Sequence, residues 1–453
     1  NMTDMTVGSP IKHIFRFAWP LLIGNLFQQL YNMVDSLIVG RFVGANALAA
    51  VGTCGSMNFL FFSLSIGLGI GIGILVSQYF GAKQQDMVGS IIGNSIYVLG
   101  SAAIVVSLLG ILISPQLLRL LATPDSIIGD AIIYMRMTCI GMIPIAVYNG
   151  VTCIMRALGD SKTPLYFLIL SSIVNVILDL VFVLTLGWGV FGVAFATVIA
   201  QSIAAITSVI YAYVRMPYFR LSRQQMKPRM PLIISSIKLG IPVALQNSMI
   251  AISCMALQGI VNQYGETVMA AYTITGRIEQ IVQQPYGSLG MALTTYSGQN
   301  MGARKLERVK QGYRQAVIIA LVFSICMIPI AYLFGKQIIE AFVKEPEVIE
   351  IGMTALRITS LCYFGLGMIY VPRAVLNGCG DTGFAMLNGI TEVVCRLAYS
   401  QVFTRIPVLG FWGIWVTTGA TWITTAVVCV IRYMKGSWKT KAVVKEEKAQ
   451  IVG

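Results

Sequence analysis

The chain has 453 residues, of which 56% are hydrophobic and only 11% charged, and it carries a formal net charge of +14. A soluble domain usually carries about 25% charged residues, so a coat this thin, with a mean hydropathy of +0.77, excludes a water-soluble globular protein and points to lipid as the solvent. The basic residues sit between long apolar runs, which is the pattern of topology signals and not of a nucleic-acid patch.

A helix needs roughly 20 apolar residues to cross the hydrocarbon. Runs of that kind occur near 15–38, 54–77, 91–114, 127–150, 164–186, 190–213, 234–262, 267–296, 315–335, 351–377, 384–404 and 411–433. The expected class is an all-α membrane protein of twelve transmembrane helices. The fourth and tenth runs carry polar interruptions. One set of connections holds Lys12, Arg16, Lys83, Arg156 and Lys162, the stretches Arg215–Lys238 and Arg304–Arg314, and the tail from Arg432 to Lys448. The opposite set holds Arg41, Arg119, Lys336, Lys344 and Arg405. That asymmetry places both termini in the cytoplasm.

The two halves match at a constant offset of 221 residues, as from Gln78 to Gln299. Gly81-Ala82-Lys83 then pairs with Gly302-Ala303-Arg304, Gly159-Asp160 with Gly380-Asp381, and Gly189, Gly192 and Thr197 with Gly410, Gly413 and Thr418. One unbroken offset across six spans indicates duplication. Six spans per half insert the same way up, so the repeats are parallel, an architecture that puts a substrate path between them. The expected division is a cytoplasmic segment 1–14, an N-lobe six-helix bundle 15–214, a cytoplasmic linker 215–233, a C-lobe bundle 234–433 and a basic cytoplasmic tail 434–453.

Acids at mid-helix are expensive in a membrane, at roughly 2.5–3.5 kcal/mol on insertion scales. Asp35 lies in the first run and Asp179 in the fifth, and neither has a basic residue one turn away. Their repeat partners are Ala256 and Ser400, so the scaffold does not demand carboxylates there. Tyr31 is one turn before Asp35, Asn175 one turn before Asp179, Asn149 lies in the fourth run and Thr197 in the sixth. Two carboxyl groups with amide and hydroxyl oxygens suit a hard cation, so the set reads as a site for Na⁺ or for one or two protons. Separate interhelical hydrogen bonds are the alternative.

In the second half, Glu392 and Arg396 stand at i,i+4 and read as a self-neutralised pair, and Glu279 beside Arg277 invites the same reading. Gln246 and Gln258 fall on one helical stripe, and Gln283 and Gln284 sit in the eighth run. With Glu392 and Arg396 they either line a C-lobe cavity or join helices. Pro20, Pro144, Pro242, Pro285, Pro329 and Pro372 lie within spans. A bend at Pro20, fifteen residues before Asp35, would swing the acidic site. His13, before the first span, is the one histidine, and the nine cysteines form no CxxC, so neither a catalytic base nor a metal site is expected within the spans. No Walker A sequence occurs, which argues against ATP-driven transport. The chain is therefore not expected to be an enzyme or to need a cofactor beyond a coupling ion, H⁺ or Na⁺.

Trp19-Pro20, the segment Gln28-Gln29-Leu30-Tyr31-Asn32-Met33-Val34-Asp35, the Gly40–Gly52 connection and Arg156-Ala157-Leu158-Gly159-Asp160, with their repeats, resemble the multidrug and toxin extrusion (MATE) family. The resemblance covers about residues 12–435 and looks closest to DinF- and MepA-type members of the bacterial branch, in the superfamily that includes oligosaccharidyl-lipid and polysaccharide flippases. It implies two six-helix lobes in a V, alternating access, and a cation site at Asp35, Asn149, Asn175, Asp179 and Thr197 with Tyr31 nearby. It also implies bending of the first helix at Pro20. Related branches carry an acidic residue in the seventh span, where this chain has Gln246 and Gln258 and no carboxylate. The expected activity is exchange of H⁺ or Na⁺ for amphipathic, often cationic, organic compounds. The alternative is flipping of a lipid-linked or anionic lipid substrate, which favours several arginines in a cavity. The expected partners are a drug-like small molecule and membrane lipids, without nucleic acid, for a monomer in a bacterial inner membrane.

Overall fold

The computed structural model describes residues 2–120 and 123–444, so Lys445 and Lys448 of the expected tail lie outside the described residues. Among the described residues there are helices and turns and no strand. In chain order the helices are α1 (Pro10–Ile38), α2 (Ala45–Gly81), α3 (Gln85–Leu120), α4 (Asp125–Ile140), α5 (Met142–Ala157), α6 (Lys162–Leu180) and α7 (Gly189–Arg215), then α8 (Met230–Val261), α9 (Glu266–Gly302), α10 (Leu306–Glu340), α11 (Pro346–Ser360), α12 (Tyr363–Gly378), α13 (Gly383–Phe403) and α14 (Gly413–Lys435).

The fourth and tenth runs are the two that differ from straight spans. The fourth is the pair α4 and α5, bent by 43°, and the tenth is α11 and α12, bent by 48°. The first break falls at Gly141. Pro144, three residues on, has no N–H to give and crowds the carbonyl four residues back, which is Ile140. The second break falls at Cys362, the repeat partner of Gly141, where no proline stands. Counting each bent pair once gives twelve helical units among the described residues. Seven single helices and the two pairs are long and apolar enough to cross a membrane. The others, α1, α9 and α13, fall short because they carry the polar residues that matter below.

Leu108, Leu112, Ile206, Ile210, Ile318, Ile325 and Leu333 are exposed on helices, as a lipid-facing surface requires. The chain divides into two compact units. One comprises Asn1–Thr3, Trp19–Val76 and Gln84–Ala244; the other comprises Asp4–Ala18, Ser77–Lys83 and Leu245–Gly453. The division within α1 falls between Ala18 and Trp19, immediately before the buried Pro20.

Small residues set the packing of the first unit. A Cβ on Gly71 would stand 2.7 Å from the Gly240 amide nitrogen and 2.8 Å from the Ser236 carbonyl, and one on Gly67 would meet Ala244. The backbones of α2 and α8 thus touch, as small residues at i,i+4 allow. Ala50, Cys54, Leu118, Ala131, Met135 and Cys139 form one apolar cluster, and Val39, Ala47, Val183, Val190 and Val193 a second. The linker folds back on α3: Tyr97 donates to the Met226 carbonyl at 2.6 Å, and the Arg229 amide donates to Asn94 Oδ1 at 2.7 Å.

Candidate cation site

Three helices of the first unit build the site. The helical repeat puts Tyr31 and Asp35 on one face of α1 and Asn175 and Asp179 on one face of α6, while Thr197 stands on α7. Asp179 is fully buried and Asn175 nearly so. The carboxyl groups of Asp35 and Asp179 lie within hydrogen-bond reach of each other.

The donors around them are spoken for. Asn175 Nδ2 donates to the Tyr31 hydroxyl and, at 3.5 Å, to Thr197 Oγ1. The Tyr31 hydroxyl is in hydrogen-bond reach of Thr197, whose own proton goes to the Val193 carbonyl at 3.1 Å, one turn back on α7. Asp35 Oδ1, both oxygens of Asp179 and Asn175 Oδ1 are left buried with no donor. Buried acceptors of this kind are rare, because each needs a donor or a cation. The set is all oxygen, which matches a proton or a hard cation and not a soft metal.

The structure brings Tyr31, Asp35, Asn175, Asp179 and Thr197 together, and it gives Asn149 different company. Asn149 Nδ2 donates to the Ser65 carbonyl on α2 at 3.0 Å, and its Oδ1 faces Cys153 Sγ at 3.7 Å. Gly69 leaves the room for this contact, since a Cβ there would come within 2.7 Å of Asn149 Nδ2. Asn149 therefore ties α5 to α2. One neighbour escaped the sequence reading. Tyr134 on α4 packs against both apolar clusters and lies close enough to Asp35 and Asp179 to feel their charge. Its repeat partner is Ala355, so the comparison of halves that singled out the acids also holds the signal for Tyr134.

The second unit answers the glutamine question residue by residue. Gln246 Nε2 and Arg373 Nη1 both donate to Asn388 Oδ1, at 2.9 and 3.2 Å, and the Tyr370 hydroxyl donates to Gln283 at 3.3 Å. These tie α8, α9, α12 and α13. Gln258 instead bonds Asn262 one turn along, and Gln284 bonds the Gln280 carbonyl of its own helix. Glu392 and Arg396 are the expected pair, at 3.6 Å, and Arg396 also donates to Ser253 at 2.9 Å. Glu279 differs from expectation: the charge that faces it is Arg396, while Arg277 is exposed. Residues two apart on a helix point to different sides, which rules out the local pair.

Comparison with known proteins agrees with this architecture. The MatE family model matches residues 20–181 and 242–402, once in each half. A probable multidrug resistance protein of Bacillus subtilis, YoeA, is 29% identical over 441 residues, 95% of this chain and 94% of that protein. A probable multidrug resistance protein NorM of Thermotoga maritima is 24% identical, over 98% of this chain and 96% of its own length. Among solved structures, an outward-facing multidrug resistance MATE family transporter superposes with a TM-score of 0.90 at 23% identity, covering 96% of this chain and 98% of its own.

Proposed function

From the premise that the chain belongs to the MatE family, whose named relatives are transporters and not enzymes, we propose that it is a secondary active multidrug exporter. It exchanges H⁺ or Na⁺ for amphipathic, often cationic, organic compounds by alternating access, as a monomer with both ends in the cytoplasm. One observation carries the reading: in the neighbouring carboxyl groups of Asp35 and Asp179, Asp35 Oδ1 and both oxygens of Asp179 are buried and bonded to no donor. In the outward-open state the small ion fills this cluster and disfavours the organic cation. The loaded carrier turns, releases the ion and takes up substrate. The two ligands must bind antagonistically, a coupling typically worth about 1–3 kcal/mol. Pro20 inside α1 removes one hydrogen bond of the helical ladder, which supports a hinge at that point.

The lipid-flippase alternative calls for uncompensated arginines in a cavity. It gains little support from Arg396, which Glu392 neutralises, or from Arg357, which donates to the Tyr332 carbonyl and lies over that ring. The test is reconstitution in liposomes with imposed Na⁺ or proton gradients and a panel of cationic dyes. The parent carrier expels dye against its gradient, and Asp35→Asn inserts but does not. Parental gradient-driven efflux by Asp35→Asn refutes the reading.

A further inference from the structure

Two glutamines outside the cation site stand at equivalent positions of the repeat. Gln78 lies near the end of α2 and Gln299 near the end of α9, and neither exposes any surface. A buried primary amide has to find partners for its oxygen and its two N–H groups. Gln299 Oε1 accepts the backbone N–H of Met5 at 2.8 Å. Gln78 Oε1 accepts the backbone N–H of Val443 at 2.7 Å, and its Nε2 donates to the Gly378 carbonyl at 3.0 Å. One glutamine thus holds a segment near the start of the chain and its repeat partner a segment near the end.

The two held segments are not themselves repeat partners. The same offset carries Met5 to Met226 and Val443 back to Ser222, both in the linker. Unrelated segments reach equivalent receptors, which points to the receptors as the organised element. Each segment is then fixed further. Asn300 Nδ2 and Arg308 Nη2 donate to the Met5 carbonyl at 3.1 and 2.8 Å, and Lys305 Nζ donates to the Thr6 carbonyl at 2.8 Å. Arg304 Nη2 donates to the Val444 carbonyl at 3.4 Å. The receptor itself is tightly made. A Cβ on Gly81 would strike the backbone of Gln299, and one on Gly302 the backbone of Gln78, so the ends of α2 and α9 cross with main chains in contact. Immediately beyond the crossing, Lys83 and Arg304 both take the left-handed conformation, with φ of 61° and 59°, which persists in such residues only where the surroundings impose it.

We propose that Gln78 and Gln299 form a paired latch whose ligands are the chain's own two end segments, and that the latch holds the crossed ends of α2 and α9 together in one state of the transport cycle. The proposal rests on the alternating-access reading. A carrier that opens its site on this side has to part these helix ends, and parting them pulls Gln78 from Gly378 and Val443 and Lys83 from Asp4, the residue before the Met5 that Gln299 holds. Because each end segment is bonded to a glutamine at the same crossing, the segments report a single movement.

Hydrogen–deuterium exchange on the full-length carrier in lipid nanodiscs tests this, with peptides covering 2–9 and 437–444. In the parent both peptides exchange slowly. Gln299→Leu, which keeps the bulk but removes the acceptor, speeds exchange of 2–9 by about tenfold or more, and Gln78→Leu does the same for 437–444. Gln299→Glu retains the acceptor oxygen and leaves 2–9 near the parental rate. Exchange within about twofold of the parent in both leucine variants overturns the latch. Should the leucine variants not fold, the parent decides: exchange of 2–9 and 437–444 as fast as that of the exposed linker residues 222–224 overturns it too. Failure of ion-coupled transport in liposomes would sink the antiport reading and leave these exchange results in place.

Discussion

Asp179→Asn is expected to make the carrier more stable and less useful. Asp179 is fully buried, neither of its oxygens receives a donor, and Asp35 Oδ1 and Asn175 Oδ1 beside it also lack one. An asparagine of the same shape keeps one acceptor oxygen and brings two N–H groups to a cluster made of acceptors. Leaving a buried acceptor unmade costs about 1–3 kcal/mol, so satisfying one returns a similar amount. At roughly 2 °C per kcal/mol for a large chain, the thermal midpoint in ion-poor buffer should rise by roughly 2–6 °C. The parent gains its stability another way. An ion that binds only the folded state adds about 2.7 kcal/mol at a hundredfold excess over its Kd. The parent midpoint should therefore climb with Na⁺ or with proton concentration, whichever is the coupling ion, while that of Asp179→Asn stays flat. The assay is thermal unfolding of purified carrier across both ion series at one scan rate, since such unfolding is commonly irreversible. A variant less stable than the parent in ion-poor buffer, or one that still responds fully to the same ion, refutes the proposal that this cluster binds a cation.

Two further substitutions test packing and pairing. Arg396→Leu removes the guanidinium paired with the buried Glu392 and should cost about 3–5 kcal/mol, seen as a lower thermal midpoint and poorer yield. Adding Glu392→Leu should recover part of that loss, and a double variant no better than the single would show that Arg396 does something other than neutralise its neighbour. Gly71→Val places a side chain against the backbone of Gly240 and should abolish the monodisperse species on gel filtration. Gly52→Ala, where the added methyl group meets nothing, should leave that species intact.

Much of the architecture was legible because lipid makes simple demands. Run length and the placement of Lys and Arg identify spans, and a constant offset identifies the duplication. The bends were not legible in the same way. An apolar run reads alike whether its helix is straight or broken, and only Pro144 marks one of the two breaks, the other falling at Cys362 with no proline near it. Asp35 and Asp179 stood out because a lone charge in a membrane helix needs a reason. Helical periodicity placed Asn175 and Tyr31 on the right faces, yet it cannot say which neighbouring helix a face meets. That limit accounts for Asn149, which turns to α2, for Tyr134, which was overlooked, and for Glu279, whose partner lies 117 residues away at Arg396.

The duplication supplies its own comparison of a filled site with one that can be filled. Asn175 in the first half corresponds to Arg396 in the second. Around Arg396 the guanidinium pairs with Glu392 and bonds Ser253, so the second half carries its cation covalently, as part of the chain. In the first half the equivalent residue is a neutral amide whose protons are turned to Tyr31 and Thr197, and the acids have no tethered partner. In the proposed cycle a cation fixed to the chain cannot leave when the carrier turns, so exchange falls to the first half. In that cycle the acceptor cluster of the first half takes its positive charge from solution. The proposed coupling of an ion gradient to movement therefore assigns that task to the bundle that lacks the arginine.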